Sequence, residues 1–329
     1  MDRMMYTRAV VRTRIFEKRL LPRIKMDRLV EAKDIVEVLR QLNDTDYAET
    51  LTEIKGPDEY EKFLSRELGR VYREMREISP DGTVCDLLAL KYDYHNLKVL
   101  VKEKWLEKDL SHLFIPIGTA DLSALRSTYR EGALGRMEGP FAEALKLADQ
   151  VFASTRDPQQ IDISLDRSFI SHLLKLSRQM GVPLFEKYSR TMIDFINCRT
   201  AARLKRQGKD LSFLREALLA GGFIDPDRIE SAYHEDISRL GSRLKNEDIG
   251  PTLIEGLKEG HLAELEKEMD DYLMVLVREA KMVHFGPEPL FAYILAKETE
   301  IKNLRIIMVS KINRIPPESI RERMRELYA

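Results

Sequence analysis

Cysteine is nearly absent: Cys85 and Cys198 are the only two in 329 residues. Both sit inside apolar helical pattern, which points to a reduced, cytoplasmic setting rather than to disulfide cross-linking. Long apolar runs are missing too. No stretch approaches the roughly 18 apolar residues that cross a bilayer, and the first residues lack the apolar core of a secretory signal. Work at a membrane is therefore expected to pass through something already embedded there. Charge of one sign is not in excess: Lys and Arg number 54, Asp and Glu 55, which removes any global pull toward nucleic acid or acidic lipid. The local exception is residues 2–28, with nine bases (from Arg3, Arg8, Arg12 and Arg14 to Arg28) against Asp2, Glu17 and Asp27. Its Tyr6, Val10, Ile15 and Leu20 have helical spacing. Such a run reads as a solvated helix face or as a contact for anionic headgroups or acidic loops.

Chemistry-bearing motifs are lacking as well. Gly208-Lys209 is followed by Asp210, so no phosphate-cradling G-x-x-x-x-G-K-[ST] is formed. None of the six histidines pairs with another at i, i+4, and neither cysteine has a near partner, so no zinc ligand set is expected. Each histidine is expected at the surface or half-buried. Asp270-Asp271 lacks a second acidic pair three residues on, making a poor Mg2+ site, and Glu268 to Asp271 reads as a solvated face. The basic runs 3–28 and 199–209 lack interleaved aromatics in quantity, so nucleic acid is not an expected partner. No catalytic residue, cofactor or metal is assigned. Strict apolar and polar alternation does not persist anywhere, and the expected fold class is all-α.

What is present is a set of strongly periodic helices, clearest in Gly286 to Pro317. Pro289 suits a first helical turn and Glu288 the positive end of the dipole. Leu290, Phe291, Ile294, Leu295, Ile301, Leu304 and Met308 then recur at threes and fours, with Lys297, Glu298, Glu300 and Lys302 on the other side. The expectation is a helix solvated on one face early and buried in its far half. Pro316 and Pro317 stop it, and a helix opened there is expected to carry the chain to its end.

The middle of this helix recurs twice upstream. Asp93-Tyr94-His95-Asn96-Leu97-Lys98, Asp194-Phe195-Ile196-Asn197-Cys198-Arg199 and Glu300-Ile301-Lys302-Asn303-Leu304-Arg305 all read acid, apolar, any, Asn, small or apolar, base. The asparagines are 101 (197 less 96) and 106 (303 less 197) residues apart. Pro183-Leu184-Phe185 precedes Asn197 by the interval at which Pro289-Leu290-Phe291 precedes Asn303, with Gly82-Thr83-Val84 in that place in the first copy. A shared upstream boundary argues for three quasi-equivalent helical bundle units, 1–115, 116–210 and 211–329. Acid and base five residues apart point about 140° from each other on a helix, so they serve different neighbours. The nine residues read as salt-bridged pairs, as polar ties between helices, or as three patches lining a shared cavity.

Further helices are expected from Asp27 through Leu42, Tyr47 to Ile54, Pro57 to Ile78, a first motif helix to Trp105, Ala120 to Tyr129, Pro140 to Thr155, Asp166 to Gly181, Pro183 to Gly208, Ile249 to Gly260 and His261 to His284. Ile117-Gly118-Thr119-Ala120-Asp121, Gly221 to Pro226, and Ile315-Pro316-Pro317-Glu318 read as loops that each launch a helix.

With those stretches in view the sequence resembles the C subunit of archaeal and bacterial V/A-type rotary ATPases, called the d subunit in the eukaryotic V-type enzyme. The resemblance rests on PLFAYILAKETEIKNLRIIMVSKINRIPPESIRERMREL, on YDYHNLKVLVKEK, and on YTRAVVRTRIFEKRLL followed by LRQLNDTDYAETL; DFINCRTAARLKRQG departs most in wording. It implies three related bundles arranged as a funnel with pseudo-threefold symmetry, without catalysis. It further implies a rotor subunit, peripheral on the cytoplasmic face of the cell membrane, that receives the central shaft and sits on the membrane proteolipid ring. The alternative is a helical scaffold or adaptor unrelated to rotary ATPases, although solenoid repeats usually run about 30 to 50 residues rather than a hundred.

Overall fold

A computed structural model describes every residue except Met1, Glu53, Lys55, Ile237, Glu259 and Ala329, and leaves the side chain of Ser238 undescribed. Among the described residues all regular structure is helical, as the absence of alternation requires. Contacts gather the chain into two units, Met1–Cys85 with Leu244–Ala329, and Asp86–Arg243.

The first unit opens with a 3-10 turn at Arg3–Tyr6, capped by Asp2, and continues through α1 (Thr7–Glu17), α2 (Arg23–Glu31), α3 (Ile35–Leu42), α4 (Ala48–Leu51) and α5 (Tyr60–Ile78). The basic run is two helices, not one, because Pro22 N-caps α2 with an extended backbone. The helix expected from Asp27 through Leu42 is likewise broken. Asp34 caps α3 by accepting from the Glu37 amide, which ends the preceding helix and starts a new one. The short helix expected from Tyr47 spans only Ala48–Leu51, and Glu53, within its expected reach, lies outside the described residues.

The second unit begins within α6 (Thr83–Leu106), the first motif helix. It holds α7 (Leu122–Arg130), α8 (Pro140–Thr155), α9 (Pro158–Met180), α10 (Pro183–Arg206), α11 (Leu211–Ala217), α12 (Pro226–Tyr233) and α13 (Ser238–Arg243). Helix α9 starts eight residues before the expected Asp166, since Pro158 takes the first helical position and Asp157 caps the Gln159 amide.

The chain returns to the first unit with α14 (Gly250–Gly256), α15 (Leu262–Val277) and a 3-10 stretch at Arg278–Met282. The third motif helix, α16 (Glu288–Ile312), and α17 (Pro317–Arg323) complete it. Helix α16 is the centre of this unit, packed against α1, α3, α5, α15 and α17. Ile301, Leu304, Ile307 and Met308 meet Leu29, Val38, Phe63 and Ile320 in its core. The expectation of an early solvated face is overturned: every residue from Gly286 to Lys297 is buried, and exposure returns only near the far end, at Val309 and Ile312. Leu290 to Ala296 are apolar on all sides or nearly so, and a helix apolar all round belongs inside. Helix α17 does not carry the chain to its end. It stops at Arg323 because the following backbone is taken by side chains, Arg325 by Asn303 and Glu326 by Asp271. Asp270, which also binds Arg325 and Lys302, and Asp271 are thus half-buried tail anchors rather than a solvated face.

Candidate functional site

The nine residues singled out by the repeat divide by depth. Asp93, Asn96, Asp194, Asn197, Glu300 and Asn303 are buried, while Lys98, Arg199 and Arg305 are half-buried. A buried Asn must find partners for its amide, and burying it unpaired is costly. In all three motif helices the partner is the same: the main chain of one residue further along. Asn96 Nδ2 donates to the Ile115 carbonyl at 2.8 Å and its Oδ1 accepts from the Ile115 amide at 2.9 Å. Asn197 holds Leu219 in the same way at 2.8 and 2.9 Å. Asn303 holds Arg325 at 2.9 and 2.7 Å. Each asparagine is a two-pronged clip that mimics one rung of a strand ladder on a loop 19, 22 and 22 residues away.

The acids serve a second segment, the residues just before a helix N-cap. Asp93 accepts from the amides of Thr119 and Ala120 at 2.9 and 3.0 Å, next to Asp121, the N-cap of α7. Asp194 accepts from Phe223 and Ile224, both at 3.0 Å, next to Asp225, the N-cap of α12. The acid of the third motif helix reaches a different part of the chain. Glu300 instead accepts from the amide of Leu21, next to Pro22, the N-cap of α2, 279 residues away. The opening of the chain thus supplies to the last motif helix what the following loop supplies to the other two.

Geometry explains the choice of residue at each place. At Gly118 and Gly222 the loop passes so close to the acid that an added Cβ would lie 2.0 Å from Asp93 Oδ1 and 2.0 Å from Asp194 Oδ1. Only glycine allows that approach. In the third case Arg19 stands at the corresponding position, three before the N-cap, and the acid is Glu, one methylene longer than Asp.

Glu300 also differs in company. Its Oε1 accepts from the Tyr47 hydroxyl at 2.6 Å and from Lys297 Nζ at 2.8 Å. Lys297 lies 3.4 Å from Glu67, and its ammonium sits 4.1 Å from the centre of the Tyr47 ring. Arg70 in turn binds Glu67 through two nitrogens at 2.7 and 2.9 Å. Burial alone pulls the Lys297 ammonium toward neutrality, but Glu300 and Glu67 outweigh it and hold its pKa above the usual lysine value. Burial and the neighbouring carboxylates push the Tyr47 hydroxyl well up. Among the described residues Asp194 has no such cation in contact: burial raises it to about 6, against the opposing pull of its two backbone bonds and Arg190.

Two of the bases reach neighbouring helices. Lys98 pairs with Asp166 at 2.7 Å and Arg305 with Glu61 at 2.7 Å, each on a neighbouring helix. Among the described residues no group of His, Cys, Asp and Glu is arranged to hold a metal ion, and no helix is long and apolar enough to cross a membrane. Both cysteines are buried. The histidines are exposed except His172, which is half-buried against Tyr94.

The sequence profile of the ATP synthase (C/AC39) subunit family matches residues 9–323, nearly the full length and all three motif helices. The chain belongs to this family. Among C/AC39 relatives, the C subunit of the V-type sodium ATPase of Enterococcus hirae is 28% identical over 272 residues, 82% of this chain and 83% of that protein. The C subunit of the A-type ATP synthase of Methanocaldococcus jannaschii is 25% identical over 343 residues, 96% and 84% of the two chains. Its counterpart in the A-type ATP synthase of a Desulfurococcus species is 27% identical over 334 residues, 96% and 90%. Sequence reasoning singled out the acids and asparagines of this C/AC39 protein but not the backbone they hold; it missed Leu21, Tyr47 and Glu67 and put Lys297 on a solvated face. No short-range pattern links Leu21, Tyr47 or Glu67 to Glu300; Lys297, three residues before it on the same helix and charged in an otherwise apolar run, was the one available signal.

Proposed function

We propose that this chain is a non-catalytic central-stalk subunit of a V/A-type, proton- or sodium-translocating ATPase or ATP synthase, a socket that joins the central shaft to the membrane proteolipid ring and transmits torque. The observation that carries the reading is a family match running through all three motif helices, in a chain whose conspicuous polar groups are spent on its own backbone. Membership supports a place in a rotary complex. The buried clips support a part that works by stiffness, since helices with internal hydrogen bonds, interlocked apolar faces and locked connecting loops resist deformation.

In this reading the chain is three look-alike bundles, 1–115, 116–210 and 211–329, set as a funnel with pseudo-threefold symmetry, peripheral on the cytoplasmic face of the cell membrane. Asp93, Asn96 and Lys98, Asp194, Asn197 and Arg199, and Glu300, Asn303 and Arg305 are its repeated polar joints. The segment around Leu21 closes the series by serving the third. The test is co-purification: the tagged chain, recovered from membranes in mild detergent, is expected to bring the proteolipid and the shaft proteins with it, and alone to turn over no ATP. Recovery of neither proteolipid nor shaft, or ATP turnover that tracks the pure chain, overturns the reading.

A further inference from the structure

The inward side of α1 is made by Ala9, Val10 and Thr13, all buried, with Tyr6 just before them. On a wheel of 100° per residue, positions 8, 11, 12 and 15 fall on the opposite side within an arc of about 100°. Those positions are Arg8, Val11, Arg12 and Ile15, and Met4 stands in the 3-10 turn that leads into the helix. Met4 is 62% exposed, Val11 59% and Ile15 51%. Ile15, whose spacing suggests an inward position, faces out. Exposed apolar side chains scattered singly are ordinary, but several on one helical turn after another, interleaved with arginine, form a patch.

Two observations say what covers it. The first is charge. Arg8 and Arg12 are exposed and have no ion-pair partner among the described residues, while the nearby acids are spent: Asp2 caps the Met4 amide, and Glu17 is held by Arg14 and the Tyr328 hydroxyl. The second is a further set of exposed apolar tips held beside α1. Arg14 donates to the carbonyls of Ala280, Lys281 and Val283, and Arg3 pairs with Glu288, fastening the 280–288 loop beside α1. That loop presents Met282 at 78% exposure and Phe285 at 48%. Protruding apolar tips flanked by unneutralised guanidinium groups match an interface that is apolar a few ångströms down and phosphate-rich at its surface.

We infer that the outward face of α1, with the turn before it, docks on an anionic lipid surface, with Met4, Val11 and Ile15 entering the headgroup boundary and Arg8 and Arg12 meeting lipid phosphates. This goes beyond the socket reading, which names only protein partners, and it stands or falls separately. The test uses the purified full-length chain and extruded vesicles, either phosphatidylcholine alone or phosphatidylcholine with an equal part of phosphatidylglycerol. The chain is expected to co-sediment with the anionic vesicles and not the neutral ones, and to be released by salt. Arg8→Gln with Arg12→Gln is expected to weaken binding about 25-fold, roughly fivefold for each charge. Val11→Ser with Ile15→Ser is expected to weaken it at least about tenfold. A fluorophore on Ile15→Cys, which tests insertion without removing the rest of the patch, should shift to the blue on anionic vesicles alone. Absence of binding to anionic vesicles, equal binding to both, unchanged binding by the serine pair, or a fluorophore that stays in water overturns the inference. A chain that assembles with the proteolipid and shaft yet ignores lipid refutes this inference alone, and one that binds lipid yet recovers neither refutes the socket alone.

Discussion

Asp194 and Glu300 occupy the same place in two copies of one motif, yet they are satisfied in different ways. Asp194 is served by the loop that immediately follows its helix, through two amides and the close passage of Gly222. Glu300, on the last motif helix, draws on the chain's opening through Leu21, and on Tyr47 and Lys297. A locally served acid needs little beyond glycine and two N–H groups, and it keeps the cost of its burial as a raised pKa. An acid that fastens distant parts of the chain is instead held in a cluster with a buried cation, which makes that fastening depend on charge balance.

The severest way to break this comparison is Lys297→Ala. Lys297 is 1% exposed and Glu67 is completely buried, so the substitution strands carboxylates away from water. The expected loss is about 3–5 kcal/mol of unfolding free energy, the usual penalty for removing one partner of a buried pair. Urea denaturation followed by circular dichroism measures it. A loss below about 1 kcal/mol, the range of a surface pair, would mean that the cluster does not depend on its cation.

The second break is by pH. Burial raises Asp194 from the ordinary 3.8 to about 6, so the folded state binds its proton more tightly than the unfolded chain does. Its contribution to stability is fully present below pH 3.8 and is lost as pH rises through about 6. The span is on the order of 3 kcal/mol, two pKa units at 1.36 kcal/mol each. Asp194→Asn cannot titrate, so its unfolding free energy relative to the parent should shift by this amount in the variant's favour between acid and neutral pH. Parallel curves for the two proteins would show that Asp194 is not burdened by its burial.

How much of this was legible in the sequence follows from range. Asn96, Asn197 and Asn303 stand out because their register repeats with a shared upstream boundary, and the structure gives all three one job. Their targets were not legible: a helical wheel gives a face, and nothing in it shows that an Asn will clip a backbone 19 or 22 residues on. The bases sharing the motif with them do other work, Lys98 and Arg305 on neighbouring helices, in keeping with their offset around the helix. Charge at helical spacing usually means a solvated face, and Lys297 and Glu300 depart from that expectation. Lys297 answers not only Glu300 but also Glu67, on another helix and more than two hundred residues away, which periodicity does not report.

Gly222→Ala sharpens the comparison at smaller cost. The new methyl would meet Asp194 Oδ1 at 2.0 Å and Cγ at 2.9 Å, so the loop or the carboxyl must move. The expected loss is about 1–3 kcal/mol, as for overpacking in a dense interior. Thermal unfolding gives the size. Exchange of the Phe223 and Ile224 amides gives the cause, since these two should lose protection before the amides of α12. Retention of both amides with a lowered midpoint would place the strain elsewhere.

The smallest effect belongs to Arg305→Ala. Its guanidinium faces Glu61 in a two-pronged pair at 2.7 and 2.9 Å, a geometry as good as any in the buried cluster. Yet the two side chains are 39% and 52% exposed, so water and salt already screen them, and immobilising both offsets much of the Coulomb gain. The expected change is under about 1 kcal/mol and smaller still in high salt. Set beside Lys297→Ala in the same unfolding series, it asks whether depth or geometry sets the worth of an ion pair in this unit. A loss from Arg305→Ala that matches the one from Lys297→Ala would show that burial is not what makes the Glu300 cluster critical.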